Sequence, residues 1–296
     1  MFTPKLVFKG IISMSNAKGT LYVVATPIGN LQDFSPRAEK ILQEVHLIIA
    51  EDTRHSRQLL NHFHINTPLQ SLHEHNEKQM TQTLLTRLQQ GDNLALISDA
   101  GTPLISDPGA YFIQSVHAAQ LPIVPIPGAS ALISALSVAG FPADSFVFEG
   151  FLPAKAHARQ QRLQQLAEET RTLVFYEAPH RILPSLQDMR DNFGAQRPAL
   201  LARELTKVFE TIQRLPLGEL LEWLKSEKQL GEFVIVVAGA PAVEKLLTPE
   251  VERIFTLLYQ ELPLKQAAKL TSEITGVSKN VLYDWGVQLN QVVKQE

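Results

Sequence analysis

Five short strand-like runs, residues 21–25, 47–50, 69–72, 94–97 and 123–126, alternate with helix-patterned segments over the first 140 residues. Runs of four or five residues are too short for buried helices, and most are apolar throughout rather than alternating. They read as strands covered on both faces. Strands that alternate with helices in this way predict a parallel or mostly parallel sheet with helices on both sides. The helix signals agree with that pattern. Ser35 before Pro36 is a side-chain cap followed by a residue whose fixed φ suits a first helical turn. Residues 77–90 read as a helix closed by Gly91, and another helix ends at Gly140.

The densest stretch is residues 94–111. The buried run 94–97 leads into Ser98 and Asp99, then into a loop that holds Gly101, Thr102, Pro103, Ser106, Asp107, Pro108 and Gly109. Pro108 sits where a helix could start, with Asp107 as its cap, and the helix itself is expected from about Ala110 to Ala119. Most strand-to-helix connections are shorter and less polar, so this one reads as a ligand loop. Polar loops follow the first, second, fourth and fifth strands. The carboxyl ends of parallel strands share one edge, so these loops are expected to line one rim.

The rest of the chain divides in the same terms. Residues 1–18 read as an irregular extension, with Met14 an expected alternative start, and residues 19–140 as the N-terminal α/β domain. Residues 141–243 carry further strand-like runs that do not alternate strictly with helices, which predicts a second α/β domain with a mixed sheet. Residues 244–296 read as a small helical domain, with Thr248 capping a helix that starts at Pro249. Residues 276–285 resemble the turn and second helix of a helix-turn-helix, although the stretch from Ala268 to Gly276 is long for that motif. Val277, Val281, Leu282 and Trp285 recur at helical spacing and read as core.

Several function classes lose support. The chain has no cysteine, which excludes disulfides, thiolate metal sites and cysteine nucleophiles and fits a cytoplasmic setting. No apolar run reaches the roughly 20 residues of a membrane-spanning helix, so no membrane partner is expected. A net charge of −3 leaves only local patches for nucleic acid. No Gly-x-Gly and no phosphate-binding Gly-x-x-x-x-Gly-Lys occur, which argues against nicotinamide and P-loop chemistry. His55, His62, His64, His73 and His75 cluster in sequence, but surface histidines explain them better than a zinc site, and no metal is expected.

Three clusters place both charge signs at expected strand ends: Glu51-Asp52-Thr53-Arg54, Glu177-x-x-His180-Arg181 and Arg203-Glu204-x-x-Lys207. Taken with Thr26-Pro27-Ile28-Gly29-Asn30-Leu31, Ser98-Asp99-Ala100-Gly101-Thr102-Pro103, Pro127-Gly128, Glu149-Gly150-Phe151-Leu152-Pro153 and Phe175-Tyr176-Glu177, they carry a resemblance to the tetrapyrrole methylase superfamily. Within it, the chain is similar to the enzymes that methylate ribosomal RNA. Porphyrin-acting relatives have a glycine-rich first loop, and Gly-Asp-Pro where this chain has Gly101-Thr102-Pro103. The resemblance covers nearly all of the chain after Gly19.

It implies two α/β domains with S-adenosylmethionine in the cleft between them, and 2′-O-methylation of a cytidine in the decoding region of 16S ribosomal RNA. The implied partner is the small ribosomal subunit, and the implied state is a homodimer. The implied cofactor contacts are Pro27, Asp99, Thr102, Ile105, Ser106, Ser130, Ala131, Tyr176, Ala202 and Val234, with Gly101 giving the close approach. A ribose hydroxyl is a poor nucleophile, so a positioned base or cation is expected to help, and Asp52, Glu204 and Lys207 are the candidates. Arg54, Lys155, Arg159, Arg162, Arg181 and Arg203 are the expected phosphate contacts. The alternatives are a superfamily methylase acting on a porphyrin or a protein side chain, and more remotely a DNA-binding regulator using the C-terminal helices.

Overall fold

The computed structural model describes residues 18–241 and 247–293. The expected N-terminal extension and its Met14 start therefore lie, apart from Lys18, outside the described residues. The chain falls into two compact units that divide between Gly239 and Ala240.

The first unit contains two five-stranded sheets. In one, β1 (Leu21–Val24), β2 (Leu47–Ala50), β3 (Leu69–Ser71), β4 (Leu94–Ile97) and β5 (Ile123–Ile126) lie in the order β3-β2-β4-β1-β5. Every pairing is parallel, as the alternation with helices predicts. The connections are α1 (Pro36–Glu44), α2 (Thr53–His62), α3 (Glu77–Gln89) and α4 (Ala110–Ala118), and α5 (Ala131–Ala139) leaves β5. Ser35 Oγ accepts from Ala38 N at 3.1 Å, the cap expected before Pro36. Successive residues of β2 point to opposite faces. Ile48 joins a core with Val24, Leu42 and Leu60, while Ile49 joins another with Leu84, Phe112 and Val116. Burial of each such side chain contributes about 1.5–3 kcal/mol, so the sheet is held from both sides.

The second sheet comprises β6 (Phe146–Phe151), β7 (Thr172–Glu177), β8 (Pro198–Arg203), β9 (Thr211–Pro216) and β10 (Phe233–Val237), in the order β6-β7-β10-β8-β9. Only β6 and β7 are parallel, so the sheet is mixed. Helices α6 (Ala156–Leu166), α7 (Ile182–Phe193) and α8 (Leu217–Ser226) cover one face, with Leu163, Met189 and Leu220 packed on Phe175 and Ile235. Leu132, Ala135 and Leu136 of α5 pack on the other face against Val174, Leu200 and Val236. That shared core, which also takes in Ile28, joins the two sheets into one unit.

One local expectation is corrected. Asp107 and Pro108 do not open α4. The helix starts at Ala110, and its cap position is Gly109 at φ +119° with no side-chain cap. A Cβ on Gly109 would lie 2.9 Å from Leu104 Cδ2, so a bare residue and a left-handed backbone are both needed there. The loop thus runs two residues longer, and the Asp107 carboxylate is free for another purpose.

Among its described residues the second unit holds three helices, α9 (Pro249–Glu261), α10 (Leu264–Thr275) and α11 (Lys279–Val293). Thr248 Oγ1 accepts from Val251 N at 3.3 Å. Phe255, Ala267, Ala268, Val277 and Leu282 form its core, with Trp285 packed against them and Val281 37% exposed. Gly276 at φ +71° ends α10 and makes the turn into α11.

Candidate active site

The rim loops of the first sheet are tied to one another before they meet the second. After β1, Thr26 and Gly101 exchange backbone hydrogen bonds at 2.9 and 3.1 Å. After β2, Asp52 N donates to Asp99 Oδ1 at 3.3 Å. After β5, Ala129 O accepts from Thr102 Oγ1 at 3.1 Å. Leu132 N then donates to the Tyr176 hydroxyl at 3.1 Å, which links α5 to the end of β7. Gly101 itself sits at φ +81°. Leu104 and Ser106 also hold positive φ, at +73° and +77°. Backbone of this kind costs roughly 1–3 kcal/mol per residue and persists where surrounding contacts over-determine it.

These loops and the facing ends of β6, β7 and β10 enclose a cavity of about 450 Å³. That is within the usual range for a small-molecule site. From the first half, Asp99, Gly101, Thr102, Ile105 and Ser106 line it, with Ser130 and Ala131 beyond them. Tyr176 and Val234 line it from the second half. Pro27 and Ala202 do not. The neighbour of Pro27, Ile28, supplies the lining instead. Ala202 is fully buried beside Val234, its partner on the neighbouring strand, in the core between the sheets.

Sequence reasoning passed over several lining residues. Glu51 was one of an adjacent carboxylate pair whose inward member no pattern identifies, and Asp107, although on the expected ligand loop, was read as a helix cap. Glu177 lay in a charged cluster with no hint of direction. Phe151 stood in one of the motifs that carry the resemblance but with no sign of its direction, and Glu232 gave no signal.

The lining is strongly acidic. Glu51, Asp99, Asp107, Glu177 and Glu232 contribute carboxylates, and no Lys or Arg lines the cavity among the described residues. Burial, then the charges of Glu51 and Asp99, push Asp107 up to about 6. Burial and Asp99 likewise raise Glu51, and burial raises the Tyr176 phenol. This donor set fits S-adenosylmethionine. Its sulfonium and ammonium suit a carboxylate-lined wall, Ile28, Ile105, Phe151 and Val234 offer apolar surface for a flat base, and Gly101 leaves room for close approach.

The sign of the Asp107 shift predicts a stability effect. The folded protein holds that proton to about pH 6, whereas an ordinary aspartate loses it near 3.8, so ionisation above pH 6 costs the folded state. Asp107→Asn is therefore expected to raise the melting temperature at pH 7.5 and to leave it unchanged at pH 3. A lower melting temperature at pH 7.5 would contradict the electrostatic reading.

The three proposed catalytic side chains fall outside the cavity wall. Asp52 caps Arg54 N at 2.8 Å and forks onto the Arg54 guanidinium at 3.0 and 3.3 Å, which holds its carboxyl down at about 2. Lys207 reaches from the second half over the first loop. A Cβ on Gly29 would lie 2.4 Å from Lys207 Cγ, and the ammonium bonds Glu204 Oε1 at 2.8 Å and Glu232 Oε2 at 3.0 Å. Glu204 and Lys207 thus form one cluster at the Glu232 edge of the cavity, and Asp52 belongs to the other rim.

The proposed phosphate contacts are scattered. Arg54 is 90% exposed within its fork. Lys155 is exposed just before α6. Arg162 grips Glu149 through two 2.7 Å bonds, and Arg181 donates to Leu152 O beside Glu177. Arg203 is held by Lys228 O, Thr211 and Glu227. Arg159 is corrected: its side chain is 7% exposed and is locked on Asp188 at 2.6 Å, so it presents no charge to a phosphate. Exposed forks contribute little. Arg54→Ala is expected to keep the melting temperature within about 1 °C of the parent, and a larger fall would show the fork to be structural.

No group of three or more side chains able to hold a metal occurs among the described residues. No helix among them is long and apolar enough to cross a membrane.

Comparison with known proteins places this geometry. The family model of the Tetrapyrrole (Corrin/Porphyrin) Methylases matches residues 20–221, and that of the RsmI C-terminal HTH domain matches residues 245–290. A Pseudomonas aeruginosa protein named ribosomal RNA small subunit methyltransferase I is 58% identical over 274 residues, 91% of this chain and 97% of that one. The solved structure of a cobalt precorrin-4 methyltransferase matches with a TM-score of 0.57 at 14% identity, over 74% of this chain and 94% of that one. A uroporphyrin-III C-methyltransferase from Thermus thermophilus, solved with S-adenosylhomocysteine, matches with a TM-score of 0.50 at 17% identity, over 74% and 97%. At such identities the solved structures show the fold alone. The near full-length identity shows more: the chain belongs to the tetrapyrrole methylase family, in its ribosomal RNA small subunit methyltransferase I branch.

Proposed function

We propose that the protein transfers a methyl group from S-adenosylmethionine to the ribose 2′-hydroxyl of a cytidine in 16S ribosomal RNA. The observation that carries this reading is the 58% identity with a ribosomal RNA small subunit methyltransferase I over 91% of the chain. The acidic cavity between the two sheets supports it.

The cofactor supplies an electrophilic methyl on a cationic sulfur. The protein's part is to hold and orient. Gly101, Thr102 and Ser130 shape the floor of the cavity, and Ile28, Phe151 and Val234 supply its apolar walls. The carboxylates favour positive charge and would orient it. A displacement of this kind gains most from alignment of the attacking oxygen with the methyl group, and the stitched loops fix that line. The Lys207 cluster at the mouth would orient RNA or tune the hydroxyl. Lys207→Ala is therefore expected to slow methylation of RNA by more than tenfold while leaving cofactor affinity unchanged. A lowered melting temperature with parental turnover would make the cluster purely structural.

The partner we favour is the assembled small subunit, and the state we favour is a homodimer. All residues of the cavity belong to the first unit. Removal of residues 240–296 is thus expected to spare cofactor affinity and to weaken methylation at limiting substrate. Equal methylation by the truncated protein would leave the helical unit without a part in recognition.

The reaction is tested with labelled S-adenosylmethionine and, in parallel, small subunits, a mixed protein fraction and duplex DNA. Label in the ribosomal RNA is expected. Label in protein alone would favour a side-chain methylase, and binding to DNA without label transfer would favour a regulator.

A further inference from the structure

The tip between β8 and β9 carries apolar side chains that the cofactor cavity does not use. Val208 is 93% and Phe209 79% exposed, and Leu230, just before β10, is 68% exposed. Large apolar side chains grouped in water in this way mark an interaction site. The tip is also held in one shape. Thr206, a β-branched residue, and Glu204 sit at φ +68° and +52°, a costly backbone that persists where surrounding contacts over-determine it. Glu204 N donates to Glu232 O at 3.0 Å, Glu232 N donates to Glu204 Oε1 at 3.0 Å, and Thr206 N donates to Glu210 Oε2 at 2.6 Å.

Phe209 and Leu230 line a groove of about 520 Å³, a volume suited to a small flat group. The groove stands back to back with the cavity. Glu204 and Gly231 line the groove, and the residues that follow them, Leu205 and Glu232, line the cavity. Lys207 lies at the boundary, bonded to both Glu204 and Glu232. A strand whose ribose enters the cavity mouth beside Glu232 therefore has the groove next to it. Charge narrows the choice of occupant. Of the charges that line the groove, Glu204 is paired with Lys207 and Glu227 with Arg203, while Lys228 is exposed and makes no ion pair among the described residues. An aromatic ring beside an unpaired ammonium suits single-stranded RNA, which is held by bases stacked on aromatic rings and by cations on its phosphates.

We propose that Phe209 stacks a base that flanks the methylated nucleotide and that Lys228 holds a phosphate of the same strand, so that the groove is an RNA subsite outside the cofactor cavity. The inference rests on the methyltransferase reading above. Every base has a face to stack, so the groove sets affinity and register rather than the identity of the base.

The test uses the full chain and its Phe209→Ala, Phe209→Tyr and Lys228→Ala variants. Steady-state methylation of small subunits gives KM and kcat, and fluorescence anisotropy gives the affinity for a labelled single-stranded oligocytidylate. Sedimentation, melting curves and cofactor titrations are taken on the same samples. Phe209→Ala is expected to raise KM about tenfold, and more than it lowers kcat, as the loss of one stacked base requires. It is expected to weaken oligocytidylate binding by the same factor and to leave melting temperature and cofactor affinity at the parental values. Phe209→Tyr is expected to restore KM to within about threefold of the parent. Lys228→Ala is expected to raise KM less and to reduce the salt slope of oligocytidylate binding by about one. Parental KM and oligocytidylate affinity in Phe209→Ala overturn the proposal. A Phe209→Ala protein that sediments as a smaller species than the parent also overturns it, and makes the tip a contact between copies of the chain. A parent that labels no small subunit overturns the function reading instead, and one that also fails to bind oligocytidylate overturns the subsite with it.

Discussion

Asp188→Ala is expected to destabilise the first unit by about 3–5 kcal/mol, because it leaves the Arg159 guanidinium buried without its counter-charge. Arg159 Nε donates to Asp188 Oδ2 at 2.6 Å, and Gln160 donates to the other carboxylate oxygen at 3.0 Å. Once Asp188 is gone, the guanidinium keeps, among the described residues, only a 3.4 Å contact to Ala154 O. For a unit of this size the loss corresponds to a fall in melting temperature of roughly 10 °C. Replacement of both partners by apolar residues of similar volume, Arg159→Met with Asp188→Leu, is expected to recover most of it, because neither charge is then stranded. Both proteins are expected to methylate at the parental rate well below their melting temperatures. A single mutant with parental stability and impaired RNA binding would return Arg159 to the list of substrate contacts.

Gly101→Val is expected to cut cofactor affinity about ten- to hundredfold with the fold intact. The residue sits at φ +81°, and a Cβ there would lie 3.2 Å from Ile28 Cγ2 and 3.6 Å from Ala129 O. A branched side chain adds crowding worth about 1–3 kcal/mol at a point where the loops after β1, β4 and β5 converge. Gly101→Ala is expected to give a smaller loss, since it shares the strain of a side chain at φ +81° but adds only the one close contact with Ile28. Isothermal titration of S-adenosylmethionine, alongside circular dichroism of the same samples, checks both. Unchanged affinity in a folded Gly101→Val protein would mean that the cofactor lies elsewhere.

The fold was legible because it depends on period and burial, which sequence carries directly. The doubly covered runs at β2 and β4 and the cap-and-proline start at Ser35 and Pro36 are local signals, and the parallel order of the first sheet follows from their alternation with helices. The loop that lines the cavity was legible for the same reason, since glycine and proline density marks its backbone. Side-chain direction was not. Pro27 and Ile28 are adjacent, yet only Ile28 reaches the cavity, and of the paired strand residues Ala202 and Val234 only Val234 lines it. Charge pairing was also hidden. The partner of Arg159 is 29 residues away on another helix, so an interior ion pair and a solvent-facing basic residue look alike in one dimension. Asp107 shows the third case, in which a positive-φ glycine moves a helix start and turns an expected cap into a cavity wall.

The central claim is methyl transfer to a ribose oxygen, and one measurement reaches it directly. Small subunits treated with the protein and labelled S-adenosylmethionine are digested to nucleosides, and the labelled product is identified by mass spectrometry. The account predicts label in 2′-O-methylcytidine, with the methyl on the ribose fragment. Label on a base, or on a protein of the subunit, would contradict it.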